Sequence, residues 1–243
     1  MPRTGDFRVG TSGWVYDDWR GRFYPEQLQR EQWLAHYGKT FDTVEINNSF
    51  YRLPQARTFA GWAEEAPPGF LFAVKFSRFG SHLKRLRDPE GTIGLFLSRA
   101  ERLGDRFGPI LVQLPPNWGV NVERLDDFLK VAPKNHRWAI EMRDDSWLCD
   151  PVYRVLERHG AALVIHDLIR RHPRVITTDW TYLRFHGVDY GGNYTTRALR
   201  TAAARVDEWR SSGLDVYAYF NNDKLACGVK DAEVLRRYVL GKK

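Results

Sequence analysis

Eight short runs of apolar and β-branched residues punctuate the chain: FRVGTS, DTVEIN, FLFAVK, PILVQL, WAIEMR, AALVIH, TYLRFH and DVYAYFN. Each has the length and composition of a β-strand. Between most of them lie segments whose apolar residues recur near helical spacing. EQLQREQWLAHYG follows the first run, ARTFAGWAEEA the second, TIGLFLSRAERLG the third, ERLDDFLKVA the fourth and DPVYRVLERHG the fifth; RALRTAAARVDEWRSSG follows the seventh, and VKDAEVLRRYVLG closes the chain. Gly160 and Gly213 stand where helix C-caps are expected. The sixth unit is different. In HDLIRRHPRVITTD, Pro173 and the β-branched run predict no full helix. Alternation of strand and helix predicts parallel strands joined by right-handed crossovers. Eight such units predict an α/β fold, a (β/α)8 TIM barrel spanning residues 1–243 as a single domain. An open doubly wound sheet is the competing arrangement, but GTSGW after the first strand is not a GxGxxG turn.

Strand parity then assigns each side chain to a face. The face toward the helices must be apolar, which sends Val44, Ile46, Phe72, Val74, Phe76, Trp138, Ile140, Met142, Leu183, Phe185, Val216, Ala218 and Phe220 outward. The opposite parity points Thr43, Glu45 and Asn47 inward, with Leu71, Ala73, Lys75, Gln113, Ala139, Glu141 and Arg143. Tyr182, Arg184, His186, Tyr217, Tyr219 and Asn221 complete the inward set. Small or apolar members fall near the N-terminal ends of the strands and polar ones near the C-terminal ends. That gradient is expected of a barrel whose active face lies above a packed floor.

Composition narrows the class. The chain has 243 residues, of which 43% are hydrophobic, enough for one sizeable core. No segment approaches the ~20 apolar residues of a membrane span, so no membrane partner is expected. The opening MPRTGDFRVG lacks the apolar run of a secretory leader, and Cys149 and Cys227 form no CxxC pattern. A reducing, cytoplasmic setting is the expectation. The net charge of +7, from 37 Lys+Arg against 30 Asp+Glu, favours an anionic partner, small molecule or nucleic acid. The sequence leaves the cofactor, the metal and the oligomeric state open.

The inward charges sharpen that bias. Glu45 and Glu141 supply two negatives; Lys75, Arg143 and Arg184 supply three positives. Buried charges must be paired, so two ion pairs leave one cation for an anionic ligand. The competing reading is a closed structural network with no chemistry. Candidate catalytic groups are Glu45, Glu141, Lys75 and His186, as acids, bases or holders of developing charge. Candidate ligand-binding groups are Trp14, Asn47, Tyr51, His82, Gln113, Arg143, Trp147, Arg184, Asn221, Asn222 and Asp223. The arginines suit phosphate or carboxylate, the aromatics stacking, and the amides hydroxyl-rich or base-bearing ligands. A metal would have to draw on Glu45, Glu141, His166, Asp167, His186 and Asp223, but no tight ligand spacing such as HExxH supports one, and three inward cations oppose it. Ser12 and Ser49 lack a GxSxG context.

Several stretches at the strand ends together resemble the family known as domain of unknown function 72, or YecE-like. They are GTSGW (Gly10 to Trp14), FYP (Phe23 to Pro25), VEINNSFY (Val44 to Tyr51), FAVK with Ser81-His82, and QLPP (Gln113 to Pro116). EMR with Ser146-Trp147, RFHG (Arg184 to Gly187) and YFNND (Tyr219 to Asp223) follow in order, so the resemblance covers nearly the whole chain. It implies a (β/α)8 barrel and no established activity. It also suggests a distant architectural likeness to the endonuclease IV and xylose isomerase barrels, an analogy of fold that brings in hydrolase or lyase chemistry. Asp231 in GVKDA stands where the family pattern leads one to expect Asn. The reading that emerges is an enzyme acting on a phosphate-bearing ligand, nucleic acid or sugar phosphate, at the C-terminal face. The alternative is a non-catalytic binder of nucleic acid or an anionic metabolite.

Overall fold

The computed structural model describes residues 3–187 and 190–241. Eight parallel strands form a nearly closed barrel with helices between them. The strands are β1 (Phe7–Thr11), β2 (Thr43–Ile46), β3 (Leu71–Lys75), β4 (Phe107–Gln113), β5 (Trp138–Glu141), β6 (Ala162–His166), β7 (Trp180–Phe185) and β8 (Asp215–Phe220). The pairing order is β1-β8-β7-β6-β5-β4-β3-β2, so only the seam between β1 and β2 lacks a regular ladder.

That seam is closed by substitution. Gly13 N donates to Glu45 O at 2.8 Å near the mouth. Lower down, the Tyr37 hydroxyl accepts from Thr11 N (2.9 Å) and donates to Thr43 O (3.2 Å), standing in for a ladder bond. Gly10 permits this closeness, because a Cβ there would lie 2.2 Å from Thr43 O.

The helices are α1 (Trp33–Tyr37), α2 (Asn48–Tyr51), α3 (Ala56–Glu65), α4 (Pro89–Ala100), α5 (Val122–Val131), α6 (Asp150–His159), α7 (Thr196–Ser211) and α8 (Cys227–Leu240). The long amphipathic segment after β1 condenses to a single turn at Arg30–Gln32 and the five residues of α1. Its earlier carbonyls are taken by side chains: Arg20 Nη1 donates to Glu26 O and Leu28 O, both at 2.9 Å. Tyr24 stacks on Trp33 with centroids 4.5 Å apart, which holds the segment in a compact loop. Gly160 caps α6 in the left-handed region at φ 65°, as its position predicts. Between β6 and β7 no helix forms. The outer face of these strands instead borders a cleft of ≈240 Å³ lined by Ile165, Leu183, Phe185, Arg170, Arg174 and Trp209, among others.

The two faces separate as parity predicts. Val44, Ile46, Phe72, Val74, Phe76, Trp138, Ile140, Met142, Leu183, Val216, Ala218 and Phe220 pack in the layer beneath the helices. Ala73, Leu111, Ala139, Ala162, Val164, Trp180, Tyr182, Tyr217 and Tyr219 fill the lumen. At its lower end Arg137 donates to Asp215 (2.7 Å) and to the Tyr217 hydroxyl (2.9 Å). Among the described residues no helix is long and apolar enough to cross a membrane.

Candidate active site at the barrel mouth

The ladder registers bring the polar strand ends to one level. Gln113 pairs with Glu141, His166 with Arg184, and Arg184 with Tyr219. The charges expected to meet do meet. Arg184, 1% exposed, grips Glu45 with two nitrogens: Nη2 to Oε1 at 2.8 Å and Nε to Oε2 at 3.1 Å. Its Nη1 reaches Glu141 Oε2 at 2.6 Å. Glu141 Oε1 in turn accepts from Arg143 Nε, and Arg143 Nη2 donates to Gln113 Oε1 at 3.1 Å. Burial alone would raise the Glu141 carboxyl, but the Arg184 and Arg143 guanidiniums hold it well below the usual carboxylate range.

Glu45 is saturated. Besides Arg184 it accepts from Ser12 Oγ (2.8 Å) and the Tyr182 hydroxyl (2.6 Å). Four donors occupy the four lone-pair positions of a carboxylate. The buried core of the site is therefore a chain of alternating charge, Glu45–Arg184–Glu141–Arg143, balanced two against two.

Lys75 is the cation left over. Among the described residues its ammonium has no hydrogen bond and no ion pair. It is 7% exposed and lies 4.3 Å from the centroid of the Phe50 ring. Burial pushes it down to about 7; Arg184 and Arg143 add to that, and Glu141 and Glu45 oppose it. Phe50 is held edge-on by Tyr51 and by His82, at 5.1 and 4.9 Å. His82 comes from a π-type turn, Phe79–Leu83, directly after β3. Burial and the facing Lys75 push His82 down to about 4, so its ring is neutral at pH 7.

On the opposite side, His186 is fully buried and oriented by Asp167. Asp167 Oδ1 lies 3.1 Å from His186 Nδ1 and accepts the His186 backbone N–H at 2.9 Å. Asp167 also accepts from the Tyr194 hydroxyl. The carboxylate fixes the proton on Nδ1, which leaves Nε2 as an acceptor facing Arg184 Nη1 (3.2 Å) and Arg143 Nη2 (3.5 Å). Burial lowers the imidazole's proton affinity; the Asp167 bond opposes this and Arg184 adds to it. His166 is differently placed: Nε2 donates to Met142 O at 2.7 Å while Nδ1 accepts Leu168 N at 3.3 Å.

The neutral groups form the rim. Asn47 Nδ2 contacts Asn221 Oδ1 at 3.4 Å, and Asn47 Oδ1 is buried with no protein partner. Trp14, Tyr16, Asn47, Tyr51 and Trp62 line part of a neighbouring cleft of ≈420 Å³, where Tyr51 is 77% exposed. Asn222 turns away from the mouth to donate to Asp231 Oδ2 (2.8 Å) and Gly192 O (2.8 Å). Asp231 also accepts Tyr194 N at 3.0 Å, so its carboxylate braces the final loop. Asp223 accepts Trp19 Nε1 at its backbone carbonyl (2.7 Å). Trp147, in the turn after β5, is fully buried, and its Nε1 donates to Trp118 O at 2.5 Å. Among the described residues no three of His, Cys, Asp and Glu converge in a metal-binding cluster.

Sequence reasoning passed over Tyr182 and Ser12 as partners of Glu45, Phe50 as the partner of Lys75, and Asp167 as the orienter of His186. Parity already pointed Tyr182 inward, and Asp167 directly follows the end of β6. No local signal links Ser12 or Phe50 to their partners.

Comparison with known proteins agrees with this architecture. The family described as "Protein of unknown function DUF72" matches residues 8–243. The chain is 29% identical over 140 residues to UPF0759 protein YecE of Escherichia coli K12, a match covering 55% of this chain and 52% of that protein. The chain thus spans about half the length of that curated relative. UPF0759 protein YunF of Bacillus subtilis 168 is 25% identical, with 88% of each chain covered. A crystal structure of a DUF72 family protein from Thermotoga maritima superposes with a TM-score of 0.87 at 28% identity, covering 97% of this chain and 99% of that one.

Proposed function

The chain belongs to the DUF72 family, and from that premise, which carries no activity with it, we propose that the barrel mouth is the active site of an enzyme acting on a phosphate-bearing ligand. One observation carries the reading: of the five charges that parity points to the mouth, four neutralise one another, and Lys75 is left with no ion pair among the described residues. A buried charge without a counterion costs several kcal/mol. An anion entering the mouth removes that cost, so the site selects for one. Arg143, at the accessible end of the charge chain, supplies a second cation.

Roles follow from what each group is free to do. Glu45 and Glu141 hold the guanidiniums in place, because their oxygens are already occupied or strongly acidified. His186, neutral and aimed by Asp167, is the candidate proton acceptor once a ligand draws the Arg184 and Arg143 donors off its Nε2. Asn47, with its free acceptor, and the aromatic cleft beside it suit the hydroxyl-bearing or base-bearing remainder of the ligand. Sugar phosphate and nucleic acid both meet these demands.

Calorimetric titration of the protein with inorganic phosphate, ribose 5-phosphate and a short abasic DNA tests the reading. Binding should weaken in Lys75→Met by tenfold or more and should weaken as pH rises above 7. A steep salt dependence for DNA beyond that for ribose 5-phosphate would select the polymer. Phosphate affinity unchanged by Lys75→Met would refute the site.

A further inference from the structure

Lys75 has features that a mere anion clamp does not need. A clamp works best as a permanently charged, well-hydrated group, or as an arginine fork. Lys75 is instead nearly buried, its Nζ lies 4.3 Å from the Phe50 ring centroid with no ion pair among the described residues, and the carboxylates of Glu45 and Glu141 are committed to Arg184 and Arg143, whose charges act against its own. Desolvation beside like charge is the environment that frees a lysine's lone pair for attack. We propose that Lys75 is a covalent nucleophile, whose free amine adds to the carbonyl carbon of an anionic aldehyde or ketone and carries it as a protonated imine. This rests on the anion-binding reading of the mouth and names the substrate class within it.

The step balances without any co-reactant. The Nζ lone pair forms a C–N bond as the carbonyl π bond opens, and a proton moves from nitrogen to oxygen to give the carbinolamine. The C–O bond then breaks, the hydroxyl leaves as water after taking back from solvent the proton that the ammonium released, and the nitrogen lone pair forms the C=N bond. Ammonium plus carbonyl yields iminium plus water. The iminium carries the same single positive charge in the same place, so the charge that draws the anion is conserved.

The burial and the facing cations that free the amine also lower its proton affinity, to about 7. At pH 7 about half of Lys75 is then unprotonated. For an exposed lysine of ordinary pKa the fraction is about 10³-fold smaller.

Pyridoxal 5′-phosphate is a suitable probe, being an anionic aldehyde whose imine is visible by absorbance. The wild-type protein is incubated with it at pH 7, reduced with borohydride and mapped by mass spectrometry. Pyridoxal without the phosphate and the Lys75→Arg variant serve as comparisons. The expected result is modification at Lys75 at least tenfold faster than at any other lysine, and at least tenfold slower with pyridoxal. In Lys75→Arg the imine absorbance should vanish. Fast labelling of Lys75 by both aldehydes alike would uphold the nucleophile and overturn the anion site. Labelling confined to other lysines, with phosphate binding intact, would overturn the nucleophile and leave the anion site standing.

Discussion

Replacing Lys75 with methionine should make the protein more stable, and the gain should depend on pH in a defined way. The Lys75 ammonium falls from 10.5 in the unfolded chain to about 7 in the folded one. At about 1.36 kcal/mol per pH unit, that displacement sets an upper bound near 5 kcal/mol on the cost of keeping the charge in the mouth. Methionine follows the lysine stem closely in shape and carries no charge. It forfeits the contact of the ammonium with Phe50, worth about 1 kcal/mol. A net gain of about 3 kcal/mol is expected at pH 6.5, or roughly 6–12 °C in Tm for a chain of this size. Between about pH 7 and 10.5 the unfolded wild type holds a proton that the folded protein has lost, so wild-type stability rises with pH across that window. The charged and titratable groups facing Lys75 are Arg184, Arg143, Glu141, Glu45 and His82. Glu141 and His82 are held below that range and Arg184 above it. The advantage of Lys75→Met should therefore be full below pH 7 and nearly gone by pH 10. Urea unfolding of both proteins at pH 6.5, 8 and 9.5 measures it. An advantage that does not shrink with pH, or a methionine variant less stable throughout, would refute the account of Lys75 as a strained, uncompensated cation. A stabilised variant that no longer binds phosphate would instead show the exchange of stability for activity that functional groups commonly exhibit.

Other parts of the site are equally open to measurement. Arg184→Met strips both Glu45 and Glu141 of their shared partner inside the barrel and should cost about 3–5 kcal/mol in urea unfolding; a loss under 1 kcal/mol would mean that the chain of charges is not what closes the mouth. Tyr37→Phe removes the hydroxyl bridging β1 and β2 and should cost about 1–3 kcal/mol, with faster hydrogen exchange at the Thr11 amide and little change at β7. Asp167→Asn withdraws the carboxylate that raises His186 toward protonation, so the imidazole should titrate at still lower pH by NMR, and an unchanged titration would deny the pair. Acid should weaken the fold through its buried imidazoles. His166, His172 and His186 all have folded-state values below 6.5, so the unfolded chain binds more protons and stability present above pH 6.5 is lost as pH falls. Stability should fall measurably between pH 7 and 5 by chemical denaturation, and a flat profile there would refute it.

Much of this was legible in the chain. A strand's side chains alternate with period two, and the helix-facing side of a barrel tolerates only apolar groups. VEIN, FAVK, WAIEMR and LRFH therefore assign Glu45, Lys75, Glu141, Arg143, Arg184 and His186 to the interior without any coordinates. The missing sixth helix was equally visible, because Pro173 and the β-branched run around it disfavour helix locally. The first helix was misjudged in extent for the opposite reason. Its amphipathic spacing is real, but Arg20 and the Tyr24–Trp33 stack compete for the same backbone and side chains from outside the segment.

Pairing lay beyond the sequence. Counting two carboxylates and three cations shows that one charge is left over, but not which. That was decided by the meeting of strands far apart in the chain: Arg184 reaches back to Glu45, which Ser12 and Tyr182 also hold, and to Glu141, while Arg143 bends to the Glu141 two residues before it. Trp147 likewise reads as an open rim aromatic until packing buries it and turns its Nε1 to Trp118 O. Parity is a local property of an extended backbone and survives any tertiary context. A hydrogen bond depends on separations of a few tenths of an ångström between distant segments, and only the closed barrel sets those.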